Sequence, residues 1–192
     1  GVLRDITRSS ALERSYDLGA ILQRISAWKN AFLAPDQLKI GEDPYDQAAA
    51  ELYGKYLELM RAYRAYDFDD LIVEPCRRLE ESTATRKRWS SQFQYLLVDE
   101  YQDTNHAQLR LLKAIGGEHG NVCVVGDDDQ SIYGWRGAEV RNILEFEKDF
   151  PGARKVYLMR NYRSVGAVLD AANRVIAVNP DRHEKQMRHS RN

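Results

Sequence analysis

Tyr95-Leu96-Leu97-Val98-Asp99-Glu100-Tyr101-Gln102-Asp103-Thr104-Asn105 is the stretch around which the chain is organised. Four residues of high strand propensity run without polar alternation into two acids, which predicts a strand buried on both faces, as in a parallel sheet covered by helices. Open α/β sheets take their ligands at the carboxyl ends of the strands. Adjacent carboxylates there suit two tasks: one holds a hard cation such as Mg2+, the other orients or deprotonates a water. The same two acids are equally able to end a strand and cap a helix, and the residues alone leave both readings open.

Asn105, followed three residues later by Gln108, predicts a capping box for a helix through Leu109, Leu112 and Ile115, closed by Gly116-Gly117. A second apolar run, Val122-Cys123-Val124-Val125, ends in Gly126-Asp127-Asp128-Asp129-Gln130. Strand, helix and strand within about thirty residues form a βαβ pattern and imply a parallel sheet. Two neighbouring strands therefore deliver polar clusters to one sheet edge. The Gln130 amide can donate to a phosphoryl oxygen and accept from a water near Glu100, or it is simply a turn residue. Beyond it, Ser131-Ile132-Tyr133-Gly134-Trp135-Arg136-Gly137-Ala138 sets two aromatics and an arginine between glycines. Aromatics beside arginine suit single-stranded nucleic acid, whose bases stack on rings while phosphates meet the cation. A loop with Trp135 tucked into the core is the alternative.

Upstream, Ile21, Leu22, Ile25, Trp28 and Phe32 fall at helical spacing over 18–32, with Trp28 assigned to the core, and a loop follows over 34–44. A longer helix is expected from 45 to 66, with Ala49, Leu52, Tyr56, Leu59 and Tyr63 on one face. Asp67-Phe68-Asp69-Asp70-Leu71-Ile72 predicts a helix start, because acids there meet unpaired backbone N–H groups. A metal site is the sharper alternative for these three acids. That helix runs to about Glu80, and 82–91 reads as a polar, basic connector carrying Trp89. Downstream, the pattern predicts a helix over 139–148, a strand around 156–158, and a helix carrying Val168, Leu169, Ala172, Val175 and Ile176. The tail from Arg182 to Asn192 is expected to fray.

The 192 residues are 43% hydrophobic and 30% charged, the composition of a soluble globular protein, with a formal net charge of -1 that neither supports nor excludes nucleic acid. Cys76 and Cys123 lack metal-ligand spacing, so a reduced, cytoplasmic setting is expected, and no apolar run approaches a membrane span. No internal repeat is visible.

Three strings, Asp99 to Asn105, Gly126 to Ala138, and Asn161-Tyr162-Arg163-Ser164, resemble successive motifs of the UvrD/Rep family of superfamily-one DNA helicases, and Asp67 to Ile72 resembles a further family landmark. Upstream of Asp67 the resemblance is to the helical character of the family's insertion. It implies a partial RecA-like P-loop NTPase parallel sheet with an α-helical insertion: 1–66 the insertion, 67–160 the remainder of the first motor domain, 161–192 the start of the second. It further implies 3'-to-5' translocation on single-stranded DNA driven by ATP. Under it, Asp99 holds Mg2+, Glu100 is the catalytic base, and Gln130 senses the γ-phosphate. Tyr133, Trp135 and Arg136 meet single-stranded DNA, Tyr162 stacks on adenine, and Arg163 supplies charge to the γ-phosphate.

No Gly-x-x-x-x-Gly-Lys-Ser/Thr occurs in the chain, and Gly54-Lys55, its only Gly-Lys pair, lacks the earlier glycine. The expectation is an internal slice of a helicase, inactive alone, whose parent is an ATPase. Two alternatives stand beside it: a non-hydrolysing module that binds single-stranded DNA or a partner protein, and the motor part of a helicase-nuclease.

Overall fold

A computed structural model describes residues 5–6, 16–180 and 182–189, which divide into two compact units. One holds the described residues of 1–94 with 105–119, the other those of 95–104 with 120–189.

The first unit is helical. Helix α1 (Leu18–Asn30) starts where Asp17 accepts from the Gly19 N–H at 2.8 Å. It packs on α2 (Pro44–Ala62), and Ile21, Ile25, Ala48, Ala49, Leu52, Tyr53, Tyr56 and Met60 form the core between them. Their spacing is one helical stripe on each partner, and burying a side chain such as Ile21 or Ile25 contributes about 1.5–3 kcal/mol. Trp28 lies against this core with its ring 5.9 Å from that of Tyr53.

Helix α2 is shorter than the expected 45–66, and Tyr63, assigned to the packed face, is 58% exposed. The stop is made by Arg64 in the left-handed region at φ 50°, with its N–H and that of Ala65 closing on Arg61 and Met60. Helix α1 ends the same way at Phe32, φ 59°, whose ring lies under the Arg110 guanidinium at 3.7 Å. Neither terminus carries the glycine that normally announces such a cap.

Helix α3 (Asp70–Glu81) appears as expected and packs against α5 (His106–Gly116), where the Cys76 thiol donates to the Ala107 carbonyl at 3.3 Å. Burial pushes that thiol up to about 11. The Asn105–Gln108 capping box forms at α5 with both hydrogen bonds at 2.9 Å. The connector expected over 82–91 is instead helix α4 (Thr83–Gln92), capped by the Ser82 hydroxyl, which accepts from the Thr85 N–H at 3.2 Å. It has no apolar stripe, so periodicity could not reveal it.

The second unit holds β1 (Leu96–Val98) and β2 (Val122–Val124), paired in parallel with Leu97 opposite Cys123. The βαβ expectation is met, but burial on both faces is not. Leu96, Val98, Val122 and Val124 are half-buried, while Leu97 is 73% exposed and Cys123 is exposed beside it. Within the second unit none of the described residues covers that second face.

The helix expected over 139–148 is two short ones, α6 (Arg141–Leu144) and α7 (Phe146–Asp149), broken at Glu145. The break lets Phe146 meet the buried Tyr101 ring edge-on at 5.5 Å and stack on Phe150 at 4.8 Å. No strand forms at 156–158, where Val156 and Leu158 are exposed and lack a ladder partner among the described residues. The chain pairs later, β3 (Arg160–Asn161) with β4 (Arg188–His189), on either side of α8 (Gly166–Ile176). The tail expected to fray is therefore held through His189; residues 190–192 lie outside the described residues. No helix among the described residues is long and apolar enough to cross a membrane.

Candidate active site

Asp99 and Glu100 leave the end of β1 exposed, as the parallel pairing requires. The Glu100 N–H donates to Asp99 Oδ1 at 2.9 Å, and Glu100 sits in the left-handed region at φ 50°, ψ 43°. A short 3-10 turn, Tyr101–Asp103, follows. Gln102 in that turn is 1% exposed and is used at both ends: its Nε2 donates to Glu100 Oε2 at 2.8 Å, and its Oε1 accepts from the Asp127 N–H at 3.0 Å. The ends of the two strands are thereby tied by one side chain.

At the end of β2, Gly126 leaves room for this contact, since a Cβ there would lie 2.6 Å from Gln102 Oε1. Asp127 caps the 3-10 turn Asp128–Gln130, and its Oδ2 accepts from Gln130 Nε2 at 2.8 Å. Glu100 and Gln130 are thus joined through Gln102 and Asp127, not by direct contact.

The three aspartates are met by the segment after α8. Lys185 Nζ lies 2.5 Å from Asp127 Oδ1 and also bonds Asp128; Arg182 grips Asp129 with two bonds of 2.7 and 2.6 Å; the His183 N–H donates to Asp128 Oδ2 at 2.7 Å. Burial pushes the Asp127 and Asp128 carboxyls up. The Lys185 ammonium, with Gln130 at Asp127 and the His183 N–H at Asp128, outweighs burial and holds both below the usual carboxylate range. Burial lowers Lys185 in turn, but its two aspartates raise it above the ordinary lysine value.

Trp135 is not in the core. It is 63% exposed, and the Arg136 guanidinium lies 4.6 Å from its ring and 5.1 Å from that of Tyr133. Tyr162 is 74% exposed and Arg163 is exposed on the turn in which Asn161 Oδ1 accepts from the Arg163 and Ser164 N–H groups at 3.0 and 2.8 Å. Among the described residues neither side chain is hydrogen-bonded to Asp99, Glu100 or Gln130.

In the first unit, the acids of 67–70 form a helix start with reciprocal caps, Asp67 Oδ1 accepting from the Asp70 N–H at 2.9 Å and Asp70 Oδ2 from the Asp67 N–H at 3.1 Å. Lys29, with a side chain 4% exposed, reaches Asp67 at 2.5 Å and Asp70 at 2.7 Å, and Tyr56 donates to Asp67 at 2.8 Å. Ser26 and Asn30 donate to Asp69 at 2.9 and 2.7 Å. Asp67 and Asp70 are thus engaged as caps and by Lys29, and Asp69 through its Oδ1; no group of three potential metal ligands occurs among the described residues.

Gln102, Lys185 and Arg182 join the strand-end residues without a local signal of it: Gln102 lies between Glu100 and Asp103 like an ordinary turn residue, and the two cations meet aspartates more than fifty residues away in sequence.

Parallel strands ending in acids, a bridging glutamine and an exposed aromatic-arginine loop sit in a chain whose residues 3–151 match the family model of the UvrD/REP helicase N-terminal domain, and the chain belongs to that family. It is 42% identical over 187 residues to the ATP-dependent DNA helicase Rep of Salmonella typhimurium (strain LT2), covering 97% of this chain and 28% of that protein. Rep of Escherichia coli (strain K12) is 42% identical over 189 residues, with the same coverage. The ATP-dependent DNA helicase PcrA of Staphylococcus epidermidis is 41% identical over 186 residues, covering 96% of this chain and 26% of that protein. The chain thus spans little more than a quarter of the relatives it matches.

Proposed function

We propose that this chain is part of the motor of an ATP-dependent 3'-to-5' DNA helicase that moves along single-stranded DNA. The observation that carries it is the hydrogen-bonded line Glu100–Gln102–Asp127–Gln130 across two parallel strand ends. Within the parent, 1–66 is a helical insertion, 67–160 belongs to the first RecA-like domain, and 161–192 opens the second. The parallel pair and its crossover helix support the RecA-like assignment.

The donors fit Mg2+: Asp99 is exposed, and one of its oxygens is engaged only by the neighbouring N–H. One carboxylate with phosphate oxygens and water is the usual Mg2+ arrangement, and the ion supplies positive charge to the phosphates. Glu100, oriented by Gln102, takes the proton of the attacking water. Gln130 reads the γ-phosphate, and its place a few residues before Tyr133, Trp135 and Arg136 couples that reading to DNA, with Trp135 stacking on a base. Tyr162 stacks on adenine, and Arg163 adds charge at the γ-phosphate. ATP and single-stranded DNA are the ligands, and the setting is cytoplasmic. Lacking the Gly-x-x-x-x-Gly-Lys-Ser/Thr cradle, the chain alone does not hydrolyse ATP.

The test is Mg2+-dependent ATP hydrolysis, with and without single-stranded DNA, by the chain and by the full-length protein. The full-length protein should show DNA-stimulated turnover that falls by about 10² to 10⁴ in Glu100→Gln with ATP binding retained, the scale for loss of a general base. Unchanged turnover in that variant refutes the role of Glu100. DNA-stimulated turnover by the chain alone refutes its proposed inactivity.

A further inference from the structure

The segment after α8 reaches the site through a line of hydrogen bonds that the proposed reaction leaves unused. Lys185 holds one oxygen of Asp127, and the other oxygen of Asp127 receives Gln130 Nε2. The backbone N–H of Asp127 fixes Gln102 Oε1, leaving Gln102 Nε2 to orient Glu100. Arg182 and His183 fasten the same segment to Asp129 and Asp128, and β4 fixes its far end beside β3. We propose that Lys185 is a positioning residue: docked on Asp127 and Asp128, it sets the orientation of the Gln130 amide and, through Gln102, of the Glu100 carboxylate.

The chemistry is specific to this position. An Asp127 carboxylate between two acidic neighbours, without its cation, faces repulsion from Asp128 and Asp129. It then keeps only the Asp129 N–H on Oδ1, at 3.1 Å, and pivots about that single bond, so Gln130 loses an acceptor fixed at both oxygens. A lysine ammonium between Asp127 and Asp128 removes that repulsion while leaving Asp127 Oδ2 for the amide. Arg182 is committed to Asp129 by its paired bonds and does not replace it. The second turn of the link is steric: Gly126 admits Gln102 close to the backbone, so a small shift of Asp127 is passed to Gln102 and not absorbed.

The inference rests on the functional reading above for its catalytic half, so its test has two arms. In the first, nuclear magnetic resonance of this chain follows the side-chain amide signals of Gln130 and Gln102. Lys185→Met, which keeps the aliphatic stem, should move both toward the positions of free glutamine and speed their exchange, with the β1 and β2 backbone signals in place. Lys185→Arg should restore them. Unmoved amide signals in Lys185→Met overturn the link, whatever the enzyme does. In the second arm, the full-length protein carrying Lys185→Met should lose about 10- to 100-fold in kcat for DNA-stimulated ATP hydrolysis with KM for ATP almost unchanged, the scale of a slightly misplaced reacting group, and Lys185→Arg should recover most of it. Equal kcat in wild type and Lys185→Met, or a loss confined to KM, refutes a positioning role. A wild-type protein without any ATP hydrolysis refutes the functional reading itself and the catalytic half with it, while the amide signals still decide whether the link exists.

Discussion

Replacing Gly126 by alanine puts a methyl group into the junction of the two strand ends. It would lie 2.6 Å from Gln102 Oε1, 2.8 Å from Ile143 Cδ1 and 3.1 Å from the Tyr101 nitrogen. The Ile143 methyl is the end of a half-buried side chain and swings aside at little cost. Gln102 is different, because it is 1% exposed and bonded at both ends, so it cannot retreat without releasing Asp127 or Glu100. The Tyr101 nitrogen is backbone and donates to the Val125 carbonyl at 3.0 Å, which limits relief on that side. Overpacking of this kind costs about 1–3 kcal/mol, and a buried amide that loses its partner costs a similar amount. Because these are alternative ways of relieving one clash, they do not add, and about 2 kcal/mol is expected. Every 1.4 kcal/mol is tenfold, so amide protection in β1 and β2 should fall by about 30-fold in hydrogen exchange. The Gln102 side-chain amide signals should move in the same variant. Protection within about twofold of the parent, with Gln102 unmoved, would refute the claim that the glycine is there for close approach.

Other perturbations separate the remaining parts. Lys29→Met should cost about 3–5 kcal/mol in urea unfolding of the helical unit, because Asp67 and Asp70 lose a buried partner; a loss under about 1 kcal/mol would mean that the acids find water instead. Arg64→Gly should raise stability by about 0.5–1 kcal/mol by relieving a left-handed side-chain residue at the end of α2, and a loss would argue against that cap. Asp127 and Asp128 have folded pKa values below their unfolded ones, so their contribution is complete above about pH 4 and is lost as pH falls through the depressed values. The Gln130 side-chain amide signals, which report directly on the Asp127 carboxylate, should therefore stay constant from neutral pH to about 4 and move only below it; movement already near pH 6 would place the control elsewhere. Trp135→Ala in the full-length protein should weaken single-stranded DNA binding by about 1–3 kcal/mol, and equal affinity would return the ring to a structural role.

Where a residue's fate depends on its near neighbours, the sequence was legible. Asn105 and Gln108 announced α5, Asp67 to Asp70 announced α3, and two apolar runs separated by one helix announced a parallel pair. The misses share a physical cause. Helix α4 packs without an apolar stripe, so no periodicity marks it. Helix α2 stops on an arginine in the left-handed region, where a glycine would have been the visible signal. The tail looked uncommitted because the charges that hold Arg182, His183 and Lys185 are supplied by Asp127 to Asp129, far back in the chain. At the candidate site, the strand-end acids and Gln130 were identifiable, whereas Gln102, which connects them, differs from an ordinary turn residue only in being buried.

Glu100 stands where a glycine or an asparagine would be more comfortable, since a larger side chain in the left-handed region costs about 1 kcal/mol or more. Glycine there would relieve the backbone but leave the buried Gln102 Nε2 without its acceptor, at about 1–3 kcal/mol. The two costs oppose each other, so selection on melting temperature gains little by exchanging Glu100, and the strained backbone persists because its carboxylate also holds the neighbouring turn. A library of the full-length protein sorted by heat alone should therefore leave glutamate at 100, as one sorted by hydrolysis does.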